Sequence, residues 1–430
     1  MGEHMLVENL LSTWWIVVAA FLAPLLALAT RRKIPDVVWL LLLGMLIGPF
    51  GLQLAEQTEA VGFLRELGMG FLFLLAGLEI NTGQMRGRQG RAAALTWVIC
   101  LALGIGAGLL VTQGQIHVAI VFAIASTSTA LGTLLPILKD SGAAGSPLGG
   151  ATMLHGALGE LGPIVAMSLL LSTRGTLGAA MVLVGFAVAA VVVVLVPHRL
   201  FTRIPLLGRA MAVGANTTMQ TTLRFTVLVL LTLMLLTAVL ELDVALGAFA
   251  AGMLLSAVLS GKAPEHGHTL VHKVEVIGFS FLIPVFFVTS GMGIDLGSVV
   301  SQWPMLLGFV AAILAVRGLP VFLREQLTET HSGLRTVRER LALALYASTG
   351  LPIIVAVTQI AVSSGLIDEA VASVMVTGGA ITVLVCPMLA QMVEQGRPTA
   401  PPTTAPERQG LRGSEARGHG GTGAQNARFR

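Results

Sequence analysis

Glu160 is a carboxylate in the middle of an apolar run, His155-Gly-Ala-Leu-Gly159-Glu160-Leu-Gly-Pro163. Ionised in hydrocarbon, such a group costs about 2.5–3.5 kcal/mol on insertion scales, and side chains that bear this cost mark ion or proton paths. A carboxylate can hold a proton or a metal cation but not both, and its proton affinity is tunable by burial and by nearby charge. A structural ion pair is the plainer use of the same residue. Two polar, breaker-rich stretches interrupt other apolar runs: Ala125-Ser126-Thr127-Ser128-Thr129-Ala130-Leu131-Gly132 and Tyr346-Ala347-Ser348-Thr349-Gly350-Leu351-Pro352. Pro352 removes a backbone donor and crowds the preceding turn, and Gly350 makes unwinding easier. A broken helix frees carbonyls to coordinate a cation. Ser126, Thr127, Ser128, Thr129, Ser348 and Thr349 therefore join Glu160 as candidate ion or proton ligands, with Gly350 and Pro352 as the breakers. Small hydroxyl residues also suit plain helix packing.

Arg317 is the one charge inside a later apolar run and is followed by Gly318 and Pro320. A guanidinium stays protonated, so it cannot carry the proton. Three roles fit it: pairing with Glu160 when no cation is bound, holding the broken helices, or snorkelling to the nearby interface. His155 lies five residues before Glu160, off its helical face, and reads as a packing or pore-lining residue. Glu79, beside a basic loop, reads as an anchor.

The elements that must position these groups are membrane helices. Apolar residues make up 55% of the 430 and charged ones only 11%, against about a quarter charged in soluble domains. Lipid relieves a protein of the need to cover itself with charge, and the 50 glycines suit close helix packing. The net charge of +4 comes mainly from arginines between apolar runs, not from a nucleic-acid-binding face. Cys100 and Cys386 both lie in apolar runs, which points away from disulfides and from a cysteine metal site. No cofactor or resident metal is called for. Glu3 and Glu8 precede the first apolar run and Arg31, Arg32 and Lys33 follow it, the reverse of a secretory signal.

A span needs about 20 mostly apolar residues. Runs near 12–30, 35–53, 60–80, 92–112, 116–138, 150–172, 177–197, 221–240, 243–260, 274–294, 303–323, 339–362 and 370–394 meet that need, about thirteen in all. The eighth and ninth could fuse across Glu241-Leu-Asp243. With the N-terminus outside, the inner connections carry Arg31–Lys33, Arg86/Arg88/Arg91, Lys139, Arg199/Arg203/Arg209, Lys262/Lys273 and Arg324/Arg335/Arg338/Arg340. The outer ones carry Glu56/Glu59, Glu241/Asp243, Asp295 and Asp368/Glu369, with Arg174 the one outer cation. That alternation follows the positive-inside rule and puts the C-terminus in the cytoplasm. Residues 1–394 form the expected transmembrane domain. Residues 395–430, rich in Pro, Thr, Gly and Arg, form an expected disordered tail, too short for a nucleotide-binding regulatory domain.

The chain also echoes itself. Gly68-Met-Gly-Phe-Leu-Phe-Leu-Leu-Ala-Gly77-Leu-Glu79-Ile-Asn81 resembles Gly278-Phe-Ser-Phe-Leu-Ile-Pro-Val-Phe-Phe-Val-Thr-Ser-Gly291-Met-Gly-Ile-Asp295. One span earlier, Leu43-Gly44-Met45-Leu46-Ile47-Gly48 resembles Ala251-Gly252-Met253-Leu254-Leu255-Ser256. The copies begin on the second and ninth spans, and an odd shift inverts one against the other. Inverted repeats place transporter sites near the midplane, where broken helices meet.

These residues carry a family resemblance over most of the chain up to about residue 394. Leu43-Gly-Met-Leu-Ile-Gly-Pro49, Phe71-Leu-Phe-Leu-Leu-Ala-Gly-Leu-Glu79, Ser128-Thr-Ala130, Leu246-Gly-Ala-Phe-Ala-Ala-Gly-Met-Leu-Leu255 and Pro284-Val-Phe-Phe-Val-Thr-Ser-Gly-Met292 stand in the order found in the monovalent cation/proton antiporter superfamily. The chain resembles its branch of bacterial sodium/proton antiporters and potassium-efflux proteins. The resemblance implies an all-α, thirteen-helix membrane fold, an inverted-repeat homodimer with two crossed discontinuous helices and an elevator-like motion. It implies that the fifth and twelfth spans cross, that Glu160 is the carboxylate and that Arg317 is its basic partner. Two departures stand out: relatives usually have Asp preceded by Asp, Asn or Gln where this chain has Gly159-Glu160, and many have a polar residue where it has Leu351-Pro352.

The expected function is sodium or potassium exchange for protons in the bacterial inner membrane. With one titratable carboxylate the expected exchange is one for one and electroneutral, driven by about 1.4 kcal/mol per pH unit. The expected partners are the transported cation, protons, the bilayer and a second copy of the chain. The alternatives are a proton-coupled exporter of an organic solute on the same fold, or a passive channel. No His-Glu-x-x-His motif or catalytic Ser/His spacing points to an enzyme.

Overall fold

A backbone in hydrocarbon must satisfy its own polar groups, so apolar runs of this length fold as helices. The computed structural model describes residues 2–30, 34–79, 85, 87–140, 143–171, 175–203, 220–259 and 264–395, and among these no strand occurs. Arg31–Lys33, Asn81, Arg86, Arg174, Arg209, Lys262 and the tail after Gln395 lie outside the described residues.

The helices are α1 (Gly2–Ala29), α2 (Asp36–Ile47), α3 (Glu59–Glu79), α4 (Arg88–Val111), α5 (Ile116–Thr127), α6 (Leu131–Asp140), α7 (Pro147–Leu170), α8 (Gly175–Arg203) and α9 (Thr221–Val239). They continue as α10 (Val244–Leu259), α11 (Pro264–Ile277), α12 (Ile283–Met292), α13 (Leu296–Ser301), α14 (Trp303–Ile313), α15 (Leu319–Leu327), α16 (Val337–Ala347), α17 (Pro352–Ser363) and α18 (Glu369–Gln395). Ten segments among the described residues are long and apolar enough to cross a membrane, and three shorter apolar helices, Asp36–Ile47, Ala180–Leu195 and Val244–Val258, accompany them. Each apolar run expected from the sequence overlaps one of these segments. The eighth and ninth runs stay separate, because the chain turns at Glu241 with φ 55° before α10 begins. Two π-helical stretches, Gly278–Leu282 and Leu314–Gly318, were not foreseen, and Arg317 lies in the second.

The helices pack in two groups. One contains α1, α2, α3, α9, α10, α11 and α12; the other contains α4 to α7 and α14 to α17. The first group is held by two glycine crossings. A Cβ on Gly44 would lie 2.1 Å from the Val288 carbonyl oxygen and one on Gly291 2.3 Å from that of Leu41. In the same way Gly77 approaches the Phe249 carbonyl to 2.3 Å and Gly252 that of Leu74 to 2.2 Å. The repeat matches Gly44 with Gly252 and Gly77 with Gly291. The α2–α12 crossing is therefore the inverted counterpart of the α10–α3 crossing, and the sequence echo becomes a two-fold relation in space.

A methyl group at either crossing must displace backbone rather than a flexible side chain. Overpacking of this kind costs about 1–3 kcal/mol. Gly252→Ala and Gly291→Ala are expected to lower the thermal midpoint of purified protein, and the leucine variants to leave little folded material on size exclusion. Gly106→Ala and Gly185→Ala are the controls, since a Cβ there meets nothing within 4 Å. If all four alanine variants melted alike, close approach would not explain these glycines.

Candidate functional site

Both expected breaks are present. α5 ends at Thr127 and α6 resumes at Leu131; α16 ends at Ala347 and α17 resumes at Pro352. At the first break the cause is tertiary, because its N–H groups find acceptors on other elements. The Thr129 N–H donates to the Gly159 carbonyl (2.9 Å) and that of Ala130 to the Thr349 carbonyl (2.6 Å). The Leu131 N–H donates to Glu160 Oε1 (2.8 Å). The second break has a local cause as well. Pro352 brings no N–H, which suits the first turn of a helix, and the Gly350 N–H donates to Thr382 Oγ1 at 3.3 Å.

The breaks touch each other. Thr129 Oγ1 donates to the Ala347 carbonyl at 2.6 Å, and a Cβ on Gly350 would meet Ser128 Oγ at 2.7 Å. Two helix C-termini, α5 and α16, thus meet two N-termini, α6 and α17. Partial negative charge gathers on one side of the crossing and partial positive charge on the other.

Glu160 and Arg317 answer these two fields separately. Glu160 is 3% exposed and takes the N-terminal side through the Leu131 N–H. Its Oε2 has no hydrogen-bond partner among the described residues. Arg317 is fully buried. Its Nη2 donates to the His155 carbonyl (2.9 Å) and to Thr129 Oγ1 (3.2 Å), its Nε to Thr129 Oγ1 (3.3 Å), and its Nη1 lies 3.9 Å from Cys100 Sγ. Among the described residues no ion pair joins Arg317 to Glu160. Of the three roles open to it, the guanidinium occupies the crossing: it neither pairs with Glu160 here nor reaches an interface.

A cavity of about 470 Å³ reaches Glu160 from the end of the bundle where α1 ends and α2 begins. Leu40, Phe73, Gly132, Thr133, Phe287 and Pro352 are among its walls, with Asp36 lining it too. The candidate hydroxyls surround the crossing without lining this cavity, and each donates to a backbone carbonyl. Ser126 and Thr127 use Ala123, Ser128 uses Ala125, Ser348 uses Ala344 and Thr349 uses Leu345. Thr129 uses Ala347, and its oxygen also accepts from Arg317 Nε and Nη2; the other five keep their lone pairs for a cation.

Three features escaped the sequence reading. Thr133, one turn past the first break, lines the cavity and extends the hydroxyl series already noticed. Cys100 lies against Arg317, a contact between distant apolar runs with no local signal. His155 Nε2 stands 4.0 Å from Glu325 Oε1, and Glu325 accepts from Thr330 and Ser332 of the following loop. Gly159 gains a reason: a Cβ there would sit 2.4 Å from Thr129 Oγ1 and 3.0 Å from Arg317 Nη2, so those groups fill the room a second polar side chain would need.

A family model described as sodium/hydrogen exchanger, transmembrane, matches residues 17–393. YjbQ of Bacillus subtilis (strain 168), whose name describes a Na(+)/H(+) antiporter, is 27% identical over 317 residues, covering 70% of this chain and 50% of that protein. The glutathione-regulated potassium-efflux system protein KefC of Klebsiella pneumoniae (strain 342) is 28% identical over 336 residues, covering 75% of this chain and 50% of that protein. The chain thus spans about half the length of the curated relatives it matches. The solved structure of the sodium proton antiporter MjNhaP1 from Methanocaldococcus jannaschii has the same fold, with a TM-score of 0.64 at 19% identity over 90% of this chain and 99% of that one. A match running from the first membrane helix to the last, around a crossing built as described, places this chain in the sodium/hydrogen exchanger family.

Proposed function

We propose that the chain is a secondary antiporter that exchanges sodium or potassium for a proton, one for one, in the bacterial inner membrane. The observation that carries this reading is Glu160 itself. One oxygen is fixed by the Leu131 N–H, the other is unpartnered, and a cavity leads to it. Such a carboxylate can release its proton to the cavity and take a cation in its place. The lone pairs of Ser126, Thr127, Ser128, Ser348 and Thr349 are proposed to share the cation's coordination, while Thr129, whose oxygen accepts from Arg317, positions the crossing. The names of the bacterial relatives, sodium/proton antiporter and potassium-efflux protein, agree in cargo class.

With Gly159 in place of a second carboxylate, the proposed cycle moves no net charge. Alternating access is proposed to be of elevator type, the α4–α7 and α14–α17 group sliding against the first group, in a homodimer with N-termini outside and C-termini in the cytoplasm. The test is a proteoliposome assay with an internal pH dye and sodium, potassium or lithium added in turn. The expected result is dequenching by at least one cation at a rate that imposed voltage does not change. Voltage-dependent rates or cation-driven currents would overturn the one-for-one stoichiometry.

A second reading, a proton-coupled exporter of an organic solute on the same fold, is favoured by the apolar walls of the Glu160 cavity. Proton-coupled flux of a labelled organic cation, indifferent to sodium and potassium, would replace the first reading with it.

A further inference from the structure

A second cavity, of about 430 Å³, lies at the other end of α3 and α12 from the first. Ala76 of α3 lines the first cavity and Arg65 lines the second; eleven residues of helix separate them by about 16 Å. Likewise Ile283 at the start of α12 lines the first and Met292 at its end lines the second. Glu160 lines only the first. Both cavities run along the boundary between the two helix groups, and the second stops short of the carboxylate.

What closes it spans that boundary. Arg65 belongs to α3 in the first group, and Gln359 to α17, the second half of a broken helix. With its amide oxygen turned to the guanidinium, Gln359 accepts from Arg65 Nη1 at 2.9 Å and also from Nη2. Glu66 Oε1 lies 3.5 Å from Arg65 Nη2 and steadies the guanidinium from its own helix. A second strap lies on the same side: the Asp295 N–H, just past α12, donates to Ser373 Oγ of α18 at 3.1 Å. Two guanidinium N–H groups on one amide oxygen make a directional, charge-assisted contact, and α17 cannot move away from α3 without breaking it.

We propose that Arg65 and Gln359 form the gate on the side opposite the Glu160 cavity, closed in this structure, and that Arg65 is a positioning residue for transport. The proposal rests on the alternating-access reading above. Opening the second cavity to Glu160 requires the two groups to part where Arg65 joins them.

The test joins Arg65→Cys and Gln359→Cys in the full chain with a short bis-methanethiosulfonate linker, in proteoliposomes. Cross-linking is expected to slow cation/proton exchange by about tenfold or more, and a reductant to restore it. A Thr133→Cys reporter in the first cavity is expected to stay open to an impermeant maleimide while the link is in place. Exchange at the unlinked rate, or loss of reporter labelling on linking, would overturn the gate. A second measurement does not depend on that double variant. Arg65→Gln with the Thr133→Cys reporter is expected to label about fivefold more slowly, because the closed state loses a charge-assisted bond. Unchanged labelling would overturn the proposal as well. Failure of the underlying reading has a different signature: the wild-type chain itself would then give no cation-driven dequenching.

Discussion

Replacing Glu160 by glutamine is expected to bring cation-driven proton movement in proteoliposomes down to the level of protein-free vesicles, a loss of about a hundredfold or more. The substitution is nearly isosteric. The amide oxygen can still accept the Leu131 N–H, which Oε1 now does at 2.8 Å, so the first turn of α6 keeps its acceptor. The other position, unpartnered today, becomes an NH₂ group facing the cavity. An amide neither gains nor loses a proton near neutral pH and offers a cation one neutral oxygen instead of a charge. Removing a buried charge is expected to leave the thermal midpoint unchanged or raised, so loss of transport cannot be put down to unfolding. Glu160→Asp gives the graded counterpart. Its carboxylate retracts by one methylene, about 1.5 Å, keeps its chemistry and loses contact with Leu131. A rate reduced by about tenfold with a changed order of preference among sodium, potassium and lithium is expected. The readout is the same dequenching assay for all three proteins. Normal exchange by the glutamine variant would remove Glu160 from the mechanism.

The membrane helices were legible in the sequence because lipid leaves no alternative to helix for long apolar runs. The repeat was legible for a related reason: Gly44, Gly77, Gly252 and Gly291 are the points where backbones touch, and only glycine fits there. The sequence could not reveal that the matched glycines pair across the copies, since that is a property of the assembled fold. The second break was marked by Gly350 and Pro352. The first has none between its two helices, Gly132 lying just inside α6, and its three N–H groups are drawn off by Gly159, Thr349 and Glu160, partners up to 219 residues away in the chain. Glu160 stood out because a carboxylate amid hydrocarbon is costly wherever it lies. Arg317 stood out equally, but its partners did not. A side-chain hydroxyl, a backbone carbonyl and a thiol carry no mark in the sequence, whereas a carboxylate does. Pairing it with Glu160 was the reading that sequence chemistry suggests first.

The structure therefore makes Arg317 a second point of failure, distinct from Glu160. Arg317→Ala is expected to lower stability by about 2–4 kcal/mol, because it removes charge-assisted bonds to Thr129 and the His155 carbonyl and leaves a void beside Cys100. Arg317→Lys is expected to rescue little of this. One ammonium cannot reproduce a planar fork that reaches Thr129 through Nε and Nη2 while Nη2 also reaches His155. Arg317→Met separates packing from bonding. It fills much of the same volume, and exchanging a buried charge for an apolar side chain is often neutral or stabilising. Its thermal midpoint is expected to exceed that of the alanine variant. Its exchange rate is nonetheless expected to stay about tenfold or more below wild type, because Thr129 then loses the donors on its hydroxyl. Thr129 is the residue whose N–H holds Gly159, next to Glu160, and whose hydroxyl holds Ala347 at the end of α16. Loosening it frees the crossing to shift against the carboxylate. A melting series read beside the dequenching rates distinguishes the two contributions. A methionine variant that exchanged at the wild-type rate would reduce Arg317 to a packing residue.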